Sequence, residues 1–195
     1  VAILPTPAIG AVGLMDDVSK TVGIGFAKTE DVVILIGDTT GWLGQSAWLA
    51  ELHGREEGAP PPVDLAVEKQ NGTFVREAVI AGRLTAAHDL SDGGLLVALA
   101  EMAMAGRKGA RILLPELDIP LHAFLFGEDQ ARYVVTASPT EASKLIVDAA
   151  MAGVPATAIG AVGGDALAIG EHLTVSVDDL RQRHESWMPT YMSAA

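Results

Sequence analysis

The chain has 195 residues, 49 % of them apolar and only 5 % aromatic, so its core is built mainly from Ala, Val, Leu and Ile, and general disorder is excluded. That length suits one domain, or one domain with part of another. Lys and Arg number 13 against 25 Asp and Glu, a net charge of −12, which excludes a general nucleic-acid or anionic-membrane binder but leaves room for a local anion site made of backbone N–H groups.

Residues 21–28 and 31–37 read as two strands. The second carries Val32, Val33, Ile34, Leu35 and Ile36 in succession, apolar on both faces and therefore central in a sheet. Residues 42–53 read as a helix closed by Gly54, and the charged, then proline-rich stretch 55–62 as a loop. Asp64 caps a helix running towards Ala81 with Gly82 as its stop, although Asn71-Gly72 interrupts the helical pattern. A short strand over 84–88 leads to Asp89-Leu90-Ser91-Asp92-Gly93-Gly94. Then comes a helix with Leu95, Leu96, Leu99, Met102 and Ala103 at helical spacing, ended by Gly106. Residues 111–114 and 131–137 are expected strands. Ser138-Pro139-Thr140-Glu141 fits a capping box with Pro at the first helical position, opening a helix through Met151 that stops at Gly153. Three short strands are expected near Ala158, Leu167 and Val175, then a helix capped by Asp178 towards Trp187 and a frayed tail over 188–195.

The imperfect alternation of strands and helices, with several strands in succession near the end, predicts an α+β layered domain. No Gly-x-Gly-x-x-Gly opens a helix after a strand, and there is no Walker loop. The segment Ala8-Ile9-Gly10-Ala11-Val12-Gly13 recurs as Ala158-Ile159-Gly160-Ala161-Val162-Gly163; six residues without a surrounding period read as two glycine-tolerant strands and not as a repeat architecture. There is no cysteine, which removes disulfides, thiolate zinc sites and thiol nucleophiles. No apolar run reaches the ~18 residues of a spanning helix, and Val1-Ala2-Ile3-Leu4-Pro5 lacks the basic segment of a signal peptide. A cytoplasmic protein is expected. Because the chain starts at Val1, a piece of a longer polypeptide is expected too.

The sharpest chemical feature is His88-Asp89-Leu90-Ser91-Asp92-Gly93-Gly94, between a strand and a strong helix. Ser91 or Asp92 can cap that helix, and the paired glycines leave first-turn N–H groups open to a phosphate or carboxylate. Asp89 and Asp92, three residues apart, suit Mg²⁺, a cation that takes oxygen ligands and keeps waters. An ordinary Asp/Ser cap on a tight turn explains the same residues. A second feature is Gly127-Glu128-Asp129-Gln130 before an apolar strand, where an extended backbone turns Glu128 and Gln130 to one face and Asp129 to the other; a solvated strand start explains it equally. Gly37-Asp38-Thr39-Thr40-Gly41 reads as a turn after a buried strand and Leu43-Gly44-Gln45-Ser46 as the polar entry to a helix, both structural. The histidines at 53, 88, 122, 172 and 184 show no metal spacing.

Taken in order, Pro5-Thr6-Pro7-Ala8 through Leu14, Gly37-Asp38-Thr39, Leu43-Gly44-Gln45-Ser46, Ala87 through Leu95, and Phe126-Gly127-Glu128-Asp129-Gln130-Ala131-Arg132-Tyr133-Val134-Val135 resemble the C-terminal part of the large subunit of phosphoribosylformylglycinamidine synthases, in the aminoimidazole ribonucleotide synthetase superfamily. The chain departs from the family pattern at Gln45, where a second glycine is frequent, and at Ala131, where Gly or a polar residue is common.

The resemblance implies a layered α/β/α domain with a mixed sheet over residues 21–195, preceded over 1–20 by the last strand and linker of an N-domain. It implies part of a purine-biosynthesis ligase that uses ATP, Mg²⁺ and glutamine-derived ammonia to convert formylglycinamide ribonucleotide to its amidine, this stretch being inactive alone. The implied partners are the upstream domains, a glutaminase subunit and a small bridging subunit. By analogy with the first half of such subunits, Asp89 is a metal residue, Ser91, Asp92, Gly93 and Gly94 lie on the nucleotide-phosphate side, and Glu128 and Gln130 face ligand; no catalytic residue is expected in this stretch. An aminoimidazole ribonucleotide synthetase-like enzyme and a non-catalytic scaffold or interaction domain are the competing readings.

Overall fold

The computed structural model describes residues 9–193. Regular structure runs in the order β1 (Val32–Ile36), α1 (Ala47–His53), α2 (Leu65–Ile80), β2 (Ala86–Asp89), α3 (Gly94–Gly106), β3 (Ala110–Ile112), α4 (Leu121–Phe126), β4 (Tyr133–Ala137), α5 (Pro139–Met151), β5 (Ala156–Val162), β6 (Ala166–Ile169), β7 (Leu173–Ser176) and α6 (Val177–Ser193). The strands form one mixed sheet in the order β2-β4-β1-β5-β3-β6-β7. All its pairings are antiparallel except that of β3 with β6.

The run of apolar residues in β1 is explained by its place, flanked by β4 and β5 with side chains alternating between two cores. Val33 and Leu35 join Leu95, Leu99, Met102, Phe124 and Val177 on the α3, α4 and α6 face. Ile34 and Ile36 join Val75, Ala78, Ala142, Leu145 and Ala149 on the α2 and α5 face. The expected α/β/α layering and mixed sheet are therefore present.

Helix α2 runs through Asn71-Gly72 unbroken. Asp64 caps it by accepting from the Ala66 and Val67 N–H groups, and the two interrupting residues serve packing. A Cβ on Gly72 would lie 3.0 Å from the Tyr133 hydroxyl, and the Asn71 side-chain amide donates to the Ala131 carbonyl at 2.9 Å.

Several expectations give way. Residues 21–28 form no strand, because their hydrogen bonds run elsewhere: Phe26 N–H donates to the Met102 carbonyl at the end of α3, and the Gly23 carbonyl accepts from Ala87 N–H. Gly25 and Gly106 permit that crossing, since a Cβ on Gly106 would sit 2.3 Å from the Phe26 carbonyl oxygen. The first helix starts at Ala47 instead of Trp42, capped by Ser46. Strand β4 starts at Tyr133 because Ala131 turns the chain at φ +58°. Helix α4 was not among the expected elements. The cap of α6 comes from Ser176, whose hydroxyl accepts from Asp179 N–H, and the helix continues through Pro189 to Ser193, so residues 188–193 are helical and not frayed. The expected strand over 1–20 lies partly outside the described residues; residues 9–17 have no regular structure and Val18–Lys20 form a 3-10 turn. Of the echoed hexapeptides, the second lies along β5 and its end, whereas the described part of the first is not a strand.

Leu99 is wholly buried beneath the sheet. Leu99→Ala is expected to lower unfolding free energy by about 2–5 kcal/mol, read from the midpoint of urea denaturation.

Candidate functional site

Residues 39–42, the start of α1 and the turn before α3 meet at one short stretch, residues 127–132, which follows α4 and leads into β4. It is not extended. Asp129 is buried, and its carboxylate accepts from the N–H groups of Thr40, Gly41 and Trp42 at 3.0–3.4 Å and from the Thr40 hydroxyl. Those three residues form a loop with no sheet ladder, so their donors need another acceptor. Beside it the Arg132 guanidinium is fully enclosed, donating to the Thr39 hydroxyl at 2.8 Å, the Gly127 carbonyl at 2.5 Å and the Asp129 carbonyl at 3.3 Å. Burial pulls the Arg132 pKa down from its ordinary value, and the charge of Asp129, 3.9 Å away, opposes that shift.

Glu128 points the other way and is half-buried. One carboxylate oxygen, Oε1, accepts from Ala47 N–H at 2.7 Å and from Gly93 N–H at 2.8 Å, tying the start of α1 to the turn before α3. Gln130 is exposed, and its amide reaches only the Glu128 carbonyl, at 3.4 Å.

The turn itself differs from the expected cap. The residue that precedes α3 is Gly93, and neither Ser91 nor Asp92 caps the helix with its side chain. Two N–H groups that looked open to a phosphate have partners within the chain: Gly93 donates to Glu128 and Gly94 to the Ser91 carbonyl at 3.0 Å. Both glycines are left-handed, at φ +79° and +64°. A Cβ on Gly94 would stand 2.4 Å from the Gly127 carbonyl oxygen, so the turn sits directly against the Glu128 stretch. What the turn shows to solvent is Asp89, Ser91 and Asp92, all exposed. His88 is engaged inward, its ring nitrogens 2.6 Å from the Asp89 carbonyl oxygen and 3.0 Å from the Glu101 carboxylate. On the Ser91 side a hollow of about 470 Å³ opens between α3 and α6, lined among others by His88, Glu101, Arg181 and His184.

Among the described residues, no three His, Cys, Asp or Glu side chains gather closely enough to hold a metal ion. A Mg²⁺ bound at Asp89 would have to complete its shell from water and ligand oxygens, a pattern usual for this ion. The exposed carboxylate fits such a shared role and does not fit a closed protein cage.

A sequence profile described as AIR synthase related protein, C-terminal domain, matches residues 28–170. The chain belongs to that family. It is 58 % identical over 194 residues to the phosphoribosylformylglycinamidine synthase subunit PurL of Bradyrhizobium sp. strain BTAi1, covering all of this chain and 26 % of that protein. It is 52 % identical to the same subunit of Azorhizobium caulinodans, over 98 % of this chain and again 26 % of that protein. The chain thus spans about a quarter of the length of these relatives. In fold it is similar to the PurL of Thermotoga maritima solved with FGAR, at a TM-score of 0.70 and 23 % identity over 84 % of this chain and 30 % of that one. Among the described residues, no helix is long and apolar enough to cross a membrane.

Both departures from the family's motif pattern fall at left-handed backbone positions, Gln45 at φ +56° and Ala131 at φ +58°. Glycine is at ease there, and a side chain is not. Alternation sets Asp129 on the face opposite Glu128 and Gln130, and local pattern reads residues 37–41 as a turn and 43–46 as a helix entry. The tie between them, 87–89 residues apart in the chain, is invisible to local pattern.

Asp129→Ala leaves Arg132 buried without its counter-charge and strands the Thr40, Gly41 and Trp42 donors. A loss of about 3–5 kcal/mol is expected, measured by urea denaturation. Ala131→Gly relieves the left-handed strain at some entropic cost and is expected to raise stability by about 1 kcal/mol, visible as a higher thermal midpoint.

Proposed function

We propose that this chain is the C-terminal portion of the large subunit of a phosphoribosylformylglycinamidine synthase. In this reading the assembled enzyme converts formylglycinamide ribonucleotide to its amidine with ATP and ammonia, and this portion serves as scaffold and as the wall of a nucleotide site. The observation that carries the reading is 58 % identity along the whole chain to a PurL subunit. The meeting of residues 39–42, the start of α1 and the turn before α3 at residues 127–132 supports it. Structures of the Thermotoga maritima PurL have been solved with ATP and with ADP, and these make a nucleotide the first ligand to test.

Asp89, Ser91 and Asp92 are the side chains the turn leaves exposed, the Asp89 carboxylate 3.5 Å from His88 Nδ1, and they are assigned to ligand: Asp89 to a phosphate-bound Mg²⁺, and Ser91 and Asp92 to the nucleotide side. Gly93 and Gly94 shape the turn. Gln130, exposed with only a long contact to the Glu128 carbonyl, is assigned to face ligand. Mg²⁺ when bound neutralises phosphate charge; the part of this chain is to hold and orient. The remaining three-quarters of the subunit, a glutaminase that supplies ammonia and a small bridging subunit are the proposed partners, in line with a solved PurLQS assembly from Thermotoga maritima. The far end of α6 gives such contacts a surface, since Trp187, Met188, Tyr191 and Met192 are all more than half exposed. The cytoplasm is the compartment this reading implies.

The test of the reaction is to combine this chain with a polypeptide carrying the preceding three-quarters of the Bradyrhizobium PurL and to follow ADP release. Release that requires formylglycinamide ribonucleotide, ammonia and this chain together supports the assignment; equal release without this chain overturns it. For the nucleotide wall, calorimetric titration with ADP and ATP is expected to show saturable, Mg²⁺-dependent binding. Asp89→Asn is expected to weaken it about tenfold, the loss of one charge-assisted contact, with an unchanged thermal midpoint. Equal affinity in the variant would remove Asp89 from the site.

A further inference from the structure

We propose that Glu128 is a positioning residue, which holds the Asp89–Gly94 turn in its ligand-facing shape through Gly93 and does not itself touch ligand. The inference rests on the assignment of that turn to ligand under Proposed function, and it changes the role expected of Glu128 from its sequence context. Three observations carry it.

Oε1 of Glu128 is already shared between two donors, Ala47 N–H and Gly93 N–H, at 2.7 and 2.8 Å. Both belong to backbone at or just before a helix start, where no intrahelical acceptor exists. One oxygen therefore joins two segments that share no strand pairing. Next, the turn it grips is held in two consecutive left-handed residues, Gly93 and Gly94. Glycine loses more conformational freedom on ordering than any other residue, so such a turn keeps one shape only when something fixes it. Last, Gly94 stands so close to the Gly127 carbonyl oxygen that a Cβ would not fit. The turn is seated on the backbone of the same stretch that carries Glu128, and the carboxylate closes the contact from the side. The consequence is preorganisation: Asp89, Ser91 and Asp92 are presented together before ligand arrives, and the ordering cost is met by folding instead of binding.

A positioning role and direct contact with ligand differ in what they ask of the side chain. Positioning needs an acceptor oxygen at the place of Oε1, which Glu128→Gln keeps. Contact with a cation needs the charge, which Glu128→Gln and Glu128→Ala lose alike. Amide hydrogen exchange of this chain without ligand is the first readout. Gly93 and Ala47 are expected to be protected in the parent chain and in Glu128→Gln, and to exchange about tenfold faster or more in Glu128→Ala, while α2 and α5, across the sheet, stay unchanged. Titration with Mg²⁺ and ADP is the second readout: affinity near the parent value in Glu128→Gln and about tenfold lower in Glu128→Ala.

Equal exchange at Gly93 in the parent and in Glu128→Ala would overturn the proposal. So would a Glu128→Gln variant that binds as poorly as Glu128→Ala. If Glu128→Ala does not fold, Glu128→Asp keeps the charge and withdraws the oxygen by one methylene; faster exchange at Gly93 then supports the positioning role, and unchanged exchange overturns it. Were the parent chain to bind no nucleotide, the assignment of the turn to ligand would fail, while exchange at Gly93 would still decide whether Glu128 holds it.

Discussion

The structure turns on a problem of unpaired backbone donors. Between β1 and α1, before α3 and after α4, the chain runs through loops whose N–H groups have no ladder and no preceding helical turn to receive them. Buried donors left so would each cost on the order of 1–3 kcal/mol. Residues 127–132 meet this need from one place: Asp129 receives the Thr40–Trp42 loop, Glu128 receives Ala47 and Gly93, and Arg132 ties Thr39 and Gly127 to the same stretch. Burying Asp129 and Arg132 is unfavourable in itself. It is offset because nearly every polar atom of the two side chains faces a backbone or hydroxyl partner. The arrangement also depends on the sheet, since β4 follows the stretch directly and is paired on both sides, with β1 and β2.

Much of the layered fold was legible because it rests on local rules. The unbroken apolar run of β1 can only suit a strand with a core on each face, and the spacing of Leu95, Leu99 and Met102 can only suit a helix with a buried stripe. Asp64 and Ser138 announce their helices because capping is read within three residues. The failures have the opposite character. Residues 21–28 have strand-like composition, but their hydrogen bonds belong to the end of α3 and to β2, which the sequence places far away. The tail after Trp187 carries a proline, and local propensity ends the helix there; the structure carries it on to Ser193.

The site was half legible, for the same reason. Short-range pattern singled out two segments, 88–94 and 127–130, that the structure joins through Glu128 and Gly93. It could not tell which of two adjacent acids does what. Alternation groups Glu128 with Gln130 and sets Asp129 apart, and the two acids do point opposite ways, but local pattern does not show that each faces backbone donors from distant loops. The two departures from the family pattern, at Gln45 and Ala131, were visible as departures. Their physical meaning needed the backbone angle.

A division of labour within the motifs follows from burial. In Asp-Leu-Ser-Asp-Gly-Gly, the glycines and Leu90 face inward, and Asp89, Ser91 and Asp92 face out. In Gly-Glu-Asp-Gln, Gly127 and Asp129 are buried, Glu128 is half-buried with its Oε1 occupied, and only Gln130 is exposed. A chain with a net charge of −12 would repel a polyphosphate if its acids all faced the ligand. Here two of the acids nearest the turn are turned towards backbone donors, which spread their charge over N–H dipoles. The carboxylates that remain exposed, those of Asp89 and Asp92, suit a phosphate when a divalent cation stands between them. That requirement makes the proposed nucleotide wall dependent on the cation, and it separates the residues that build the turn from those that use it.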